Sequence, residues 1–317
     1  MKDTESLIRQ LVADVQKRVP APGRAIAAVS GGIDSTVAGL VSHRALDQRL
    51  ECLFVDTGLL RASEPDRVAT VFHEAGLPFR LVDGRRLFLD RLRGVTDPEK
   101  KRKAIGAAFI ELFEQEAAGS GAEYLVQGTI APDWIESGGS LRDTIKSHHN
   151  VGGLPENMKL KVVEPLRDLY KDEVRSLAAS LHVPSAQRQP FPGPGLAVRI
   201  LGEVTEERVA TLQRATTIVE ETIERAVARG EMKSPWQYFA VLLPLKSTGV
   251  MGDVRSYRET VAIRMVESTD AMTASAMHPP YEVLREISEK ITRELSDRIN
   301  RVVYDITDKP PATIEWE

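Results

Sequence analysis

A short apolar run, Ala25 to Val29, leads into Ser30-Gly31-Gly32-Ile33-Asp34-Ser35-Thr36 and then Val37 to Ala45. No other stretch limits the fold as strongly. The run reads as a buried strand and Val37 to Ala45 as a helix. A Gly-Gly pair between them lets the backbone turn tightly and approach a ligand closely. The N–H groups at the helix start then face an anion, with the hydroxyls of Ser30, Ser35 and Thr36 beside them. This is a phosphate cradle, but not of the Walker kind, because no Gly-Lys-Ser/Thr follows. The Asp34 carboxylate makes sense beside phosphates if a metal ion bridges them. The same residues also suit a plain glycine-rich turn with an Asp/Ser helix cap.

The surrounding pattern alternates strand and helix. Leu7, Ile8, Leu11, Val12, Val15 and Val19 recur at helical spacing, ended by Pro20 and Pro22. Strands are expected at Leu50 to Val55, Phe79 to Val82, Tyr124 to Val126 and Lys161 to Glu164. Helices are expected from a Ser63 cap to about Ala75, from Asp97-Pro98 onward, and from Lys171 to Leu181. This order predicts an α/β fold with a doubly wound parallel sheet. Ligands of such sheets bind outside the carboxyl ends of the strands, where the Ser30–Thr36 loop, Asp56 and Gly128-Thr129 fall.

From Ala131 to Glu156 the alternation breaks into a glycine-rich loop dense in Lys, His, Asp and Glu. A substrate-closing lid is the physical reading. His148 and His149 are adjacent and so rarely face one ligand, and no cysteine supports them, which argues against zinc. Arg188-Gln189-Pro190-Phe191-Pro192-Gly193-Pro194-Gly195 forbids helix or central strand and marks a domain boundary. The expected domains are therefore 1–189, with its lid at about 131–156, and 190–317. The second reads as a smaller α+β domain. It has a helix from Thr205 to Arg229, strands at Tyr238 to Leu245 and Val261 to Val266, an amphipathic helix around Val283 to Leu295, and a strand at Arg301 to Ile306. Lacking a phosphate loop, it is suited to completing a site or pairing with its own copy.

Composition removes other classes. Over 317 residues the net charge is −4, which opposes a dedicated nucleic-acid binder. A single cysteine, Cys52, cannot form an intramolecular disulfide, so a reducing compartment fits. No apolar run approaches a membrane span, and the first residues lack the apolar core of a signal peptide. The expected location is the cytoplasm.

Ser-Gly-Gly-Ile-Asp-Ser resembles the pyrophosphate loop of the N-type ATP pyrophosphatases. Other segments narrow the resemblance to the GMP synthetase family. These are Phe54 to Arg61, Ile145 to Pro155, Val163 to Leu166, Pro190 to Leu196, Gly249 to Asp253, and the tail Tyr304 to Glu317. Thr57, Gln189 and Trp134 depart from the pattern of many relatives. No Cys-His-Glu glutaminase triad precedes the loop, so the chain is similar to the separate synthetase subunit of a two-subunit form.

The resemblance implies adenylation of xanthosine monophosphate (XMP) by ATP at the C2 oxygen, release of pyrophosphate, and amination to GMP and AMP. It implies ammonia from a separate glutamine amidotransferase subunit, Mg²⁺ as cofactor, and a homodimer through the second domain. Ser30, Gly31, Gly32, Ile33, Asp34, Ser35, Thr36, Asp56 and Gly128 would bind ATP and its pyrophosphate, with Asp34 also meeting Mg²⁺. Lys146, Asp133, Glu136, His148 and His149 would serve catalysis. Arg102, Gln237, Asp253, Lys309, Ile314 and Glu315 would bind XMP. Taken alone, Arg102 lies in a Lys/Arg run that ordinarily marks a solvated helix face, and Lys309-Pro310-Pro311 would read as a frayed terminus.

Overall fold

The computed structural model describes residues 4–131, 159–184, 189–251, 254–269 and 271–317. These form two compact units. One comprises Met1–Gly58, Ser63–Phe88 and Arg102–Gln187, the other Leu59–Ala62, Leu89–Lys101 and Arg188–Glu317.

In the first unit, helix α1 (Thr4–Arg18) buries Ile8, Leu11 and Val15 at helical spacing. The apolar run before the glycines is strand β1 (Ala25–Ala28). It is joined by β2 (Leu50–Asp56), β3 (Phe79–Asp83), β4 (Tyr124–Val126) and β5 (Lys161–Val163). All pair in parallel, in the order β3-β2-β1-β4-β5. Later strands are thus added on either side of β1, which makes the sheet doubly wound. The carboxyl ends of β1 and β4 flank the point where the order reverses, and ligands of such sheets sit in that crevice.

The intervening helices are α2 (Ile33–Leu46), α3 (Glu64–Glu74), α4 (Arg85–Leu92), α5 (Pro98–Ser120) and α6 (Lys171–Ser180). Helix α2 begins earlier than its apolar pattern indicates. Thr36 N–H donates to Gly32 O at 3.0 Å, so Asp34, Ser35 and Thr36 lie in its first turn. Ser63 sits at the N-cap of α3 but makes no side-chain cap hydrogen bond, contrary to expectation. Helix α4 has no counterpart in the sequence reading. Only Phe88 and Leu92 of its charged run Arg85–Leu92 are fully buried, too few to show a period.

In the second unit, β6 (Gln237–Met251) and β7 (Val254–Glu267) form a long antiparallel ribbon. Strand β8 (Ser275–Ala276) pairs antiparallel with β7, and β9 (Ile299–Tyr304) pairs parallel with it. Helix α7 (Glu206–Ala228) starts at a working cap, where Thr205 Oγ1 accepts from Arg208 N at 3.2 Å. It packs on β6 and on α8 (Tyr281–Glu294). The ribbon runs well beyond the expected Tyr238–Leu245 and Val261–Val266. Its register shifts between Leu243 and Lys246, around Pro244, which has no N–H to donate. Beyond the shift, Leu245, Val250, Val254 and Tyr257 are exposed, so the burial period that betrays a strand is absent. Asn300 of β9 pins this part by donating from Nδ2 to Ser247 O at 2.8 Å.

Candidate active site

The loop after β1 is organised by its own hydroxyls. Ser30 N–H donates to Ser35 Oγ at 3.0 Å, and Ser35 Oγ lies 3.0 Å from Ser30 Oγ. Ser35 Oγ also donates to Gly32 O at 3.1 Å, and Thr36 Oγ1 donates to the same carbonyl at 2.8 Å. Gly32 is the N-cap of α2 and makes no side-chain cap bond, so the first N–H groups of α2 stay directed outward. Gly31 holds φ +75°, and a Cβ there would lie 2.4 Å from Val68 Cγ2 on α3. Both the dihedral and the packing therefore demand glycine. Ile33 is half-buried and Thr36 fully buried, which roots the turn in the core.

Gly128, just past β4, closes against this turn. A Cβ at Gly128 would lie 2.8 Å from both Ser35 N and Ser35 Cα. Asp56, at the end of β2, accepts from Gly58 N at 2.8 Å through Oδ1, and Arg85 Nε stands 3.8 Å from its Oδ2. Asp83 beside it is held well below the usual carboxylate range, at about 2, by hydrogen bonds from the Arg85 side chain and backbone. These strand ends carry paired charges of both signs.

Asp34 has a partner that the sequence reading missed. Lys171, the first residue of α6, donates from Nζ to Asp34 Oδ2 at 2.6 Å. The other carboxylate oxygen, Oδ1, is buried with no hydrogen-bond partner among the described residues. An orphaned anionic oxygen at a phosphate loop fits a hard cation such as Mg²⁺. Among the described residues, no group of three or more His, Cys, Asp or Glu is placed to hold a metal unaided. Magnesium sites of this type take most of their ligands from phosphate and water.

The second unit brings Gln237, Ile314 and Glu315 together. Gln237 is buried at the start of β6, and its Nε2 donates to Glu315 Oε1 at 3.0 Å and to Pro190 O at 3.1 Å. Glu315 is held in turn by Arg199, whose Nη2 and Nε donate to its two oxygens at 2.7 and 3.0 Å. Such a two-point grip fixes the carboxylate plane. Arg199 is fully buried and lies 4.0 Å over the Phe239 ring and 5.3 Å from that of Phe191. Arg61 stacks on Phe191 at 4.5 Å and pairs with Glu220 at 3.0 Å. The proline-rich segment is thus an ordered platform. Ile314 packs its side chain into the core with Phe239, Val241 and Ala262, so any ligand contact from this residue falls to its backbone.

Lys309 lies farther along the same tail. Its backbone pairs with Ala274 in both directions, and its Nζ donates to Ala271 O at 2.7 Å. The fully buried Arg264 of β7 donates to Thr307 O at 2.5 Å and Thr313 O at 3.2 Å, and it pairs with Asp305 at 3.2 Å. The tail is therefore tied down, not frayed. Arg102 lies in the first unit and is buried, so this residue of the Lys/Arg run is not on a solvated face, although Lys100 and Lys103 are exposed. Lys146, Asp133, Glu136, His148, His149 and Asp253 lie outside the described residues, as does most of the expected lid.

Cys52 is buried on β2, and burial, with Glu51 adding to it, pushes its thiol up to about 12. A thiol so rarely ionised is a packing group, not a nucleophile.

A doubly wound parallel sheet with a glycine-rich strand-to-helix turn at its switch point is the arrangement of many nucleotide-binding α/β enzymes. Residues 224–316 match the family model "GMP synthase C terminal domain". A subunit of the glutamine-hydrolysing GMP synthase of Thermoplasma acidophilum is 57% identical over 314 residues, covering 99% of each protein. The subunit of the same name from Thermococcus kodakarensis is 55% identical, again over 99% of each, and that of Methanococcus vannielii is 51% identical over the full length of both. The chain belongs to this family of GMP synthase subunits.

Proposed function

We propose that the chain converts XMP, ATP and ammonia to GMP, AMP and pyrophosphate, and takes its ammonia from a separate glutamine amidotransferase subunit. The observation that carries this reading is a glycine-rich strand-to-helix turn at the sheet's switch point, in a chain that matches GMP synthase subunits over nearly its whole length. In the first step the XMP C2 oxygen attacks the α-phosphate of ATP. A new P–O bond forms, the α–β bond breaks, and pyrophosphate leaves. Ammonia then attacks C2, and AMP departs with the original oxygen.

The charge that develops sits on phosphoryl oxygens, so the chain's work is positioning and electrostatic stabilisation. The outward N–H groups after Gly32 and the hydroxyls of Ser30 and Ser35 hold the departing pyrophosphate. Lys171 orients Asp34 and adds positive charge beside it. Mg²⁺, when bound, neutralises phosphate charge, and Asp34 Oδ1 is the atom here that fits it. Lys146 stabilises the α-phosphate or pyrophosphate. Asp133, Glu136, His148 and His149 supply metal contacts, orientation or proton transfer. The residues offered for XMP are Arg102 in the first unit and Gln237, Asp253, Lys309, Ile314 and Glu315 in the second; a guanidinium and an ammonium suit a 5′-phosphate. Residues 1–189 carry the ATP-pyrophosphatase function and 190–317 the dimerisation surface and the XMP tail, although Leu59–Ala62 and Leu89–Lys101 fold with the second unit.

The test uses the isolated chain with XMP, ATP and Mg²⁺. Ammonium salts should support GMP formation, and more strongly as pH rises, because NH₃ rather than NH₄⁺ is the nucleophile. Glutamine alone should give none until an amidotransferase subunit is added. Turnover on glutamine by the isolated chain would overturn the two-subunit reading, and absence of GMP with ammonium would overturn the reaction.

The partner in the assembly is a second copy. Tyr281, Val250, Val254 and Ile306 of the second unit are each at least 70% exposed, and apolar side chains in that number favour burial against another protein. Light scattering at micromolar concentration should give twice the chain mass. A fully active monomer would rule the dimer out. No described helix is long and apolar enough to cross a membrane. The buried, unpaired Cys52 is in keeping with a cytoplasmic location.

A further inference from the structure

One buried cation has no part in the chemistry above. Lys101, on the first turn of α5, is fully buried, and its ammonium donates to Ile200 O at 2.6 Å, Ala197 O at 3.3 Å and Glu317 Oε2 at 2.5 Å. All three of its protons are therefore spent. Ala197 lies within the 3₁₀ turn Gly195–Arg199, and Ile200 follows it directly. The same turn presents Arg199, which grips Glu315. A single ammonium thus holds both the turn beneath Glu315 and the side chain two residues beyond it. Burial holds the Lys101 pKa below its ordinary value, and the Glu317 carboxylate opposes that shift.

We propose that the Lys101–Glu317 pair is a clasp that sets the register of the Asp305–Glu317 tail, which makes Lys101 a positioning residue for the purine nucleotide. The nucleotide part rests on the XMP reading above. A buried ion pair is a poor source of net stability, because apolar residues of the same volume do as well. Its use lies in fixing one arrangement. Here that arrangement is the placement of Glu315 and Gln237, which share a hydrogen bond.

Lys101→Met, Glu317→Gln and the double variant decide the matter in the full chain, with ammonium as nitrogen source. Each single variant should raise KM for XMP by about tenfold and leave KM for ATP within about twofold of wild type. The double variant removes the ammonium and its carboxylate together, so its melting temperature should recover toward wild type. Its KM for XMP should stay raised and be no worse than in either single variant. Recovery of KM together with melting temperature would reduce the pair to a structural contact and overturn the proposal, as would an unchanged KM in all three. Amide exchange over residues 312–317 without ligand should be faster in every variant, and unchanged protection would overturn the clasp whatever the ligand. Calorimetry with XMP on the wild-type chain separates the two ideas. No binding there overturns the nucleotide reading, while the exchange result still decides the clasp.

Discussion

Gly128→Ala should lower XMP-dependent ATP–pyrophosphate exchange by about a hundredfold, a loss of the size that misplacing reacting groups by an ångström produces. The added methyl carbon would lie 2.8 Å from Ser35 N and Cα and 3.0 Å from Asp34 C, all backbone atoms of the first turn of α2. Backbone in a helical turn has no rotamer to escape into. The turn itself must shift, and with it the N–H groups and hydroxyls that would hold pyrophosphate. Thr36 is fully buried behind that turn, so the shift strains the core as well. Binding of XMP, followed by calorimetry, should change little. Exchange within about twofold of wild type, in a variant that melts normally, would remove the turn from the ATP site.

Arg199→Met should destabilise the chain by about 3–5 kcal/mol, the usual cost of breaking a buried ion pair from one side. The guanidinium is fully buried, whereas the Glu315 side chain is 20% exposed, so the carboxylate loses a two-point partner that water replaces poorly. Stacking on Phe239 is lost as well. Urea unfolding measures the stability change. Glu315→Gln turns one accepting oxygen into an NH₂ that faces a donor and leaves the buried guanidinium without its counter-charge, so it should be destabilising as well. XMP should bind more weakly to both variants, because Gln237 shares its bond with the displaced carboxylate. A stability loss under about 1 kcal/mol for Arg199→Met would mean that the pair contributes like an exposed one.

Much of the first unit was legible in its residues, because apolar runs, glycines and turns act over a few positions. β1, the Ser30–Thr36 loop and the parallel character of the sheet all follow from local pattern, whereas the order of its strands does not. What escaped depends on partners far apart in the chain. Lys171 reaches Asp34 across 137 positions, Arg199 reaches Glu315 across 116, and Lys101 reaches Glu317 across 216. Nothing beside Lys171 separates it from an ordinary first-turn lysine. Lys100 to Lys103 look like one charged stripe, yet Lys101 and Arg102 are buried while Lys100 and Lys103 are exposed. The far half of the β6–β7 ribbon was invisible for a related reason. A strand whose side chains are exposed shows no alternation, and only its pairing reveals it.

The second unit is sewn from three stretches of chain: Leu59–Ala62, Leu89–Lys101 and Arg188–Glu317. Leu196 N–H donates to Leu59 O at 2.7 Å, Gln213 Nε2 to Leu60 O at 2.8 Å, and Glu203 Oε1 accepts from Gly94 N at 3.1 Å. A gene fragment starting at Arg188 would encode most of this unit yet leave Glu220 without Arg61 and Glu317 without Lys101. The unit is therefore not a cassette that recombination can lift out at its proline-rich border. Grafting it onto another nucleotide-binding sheet would have to carry the two short upstream stitches along.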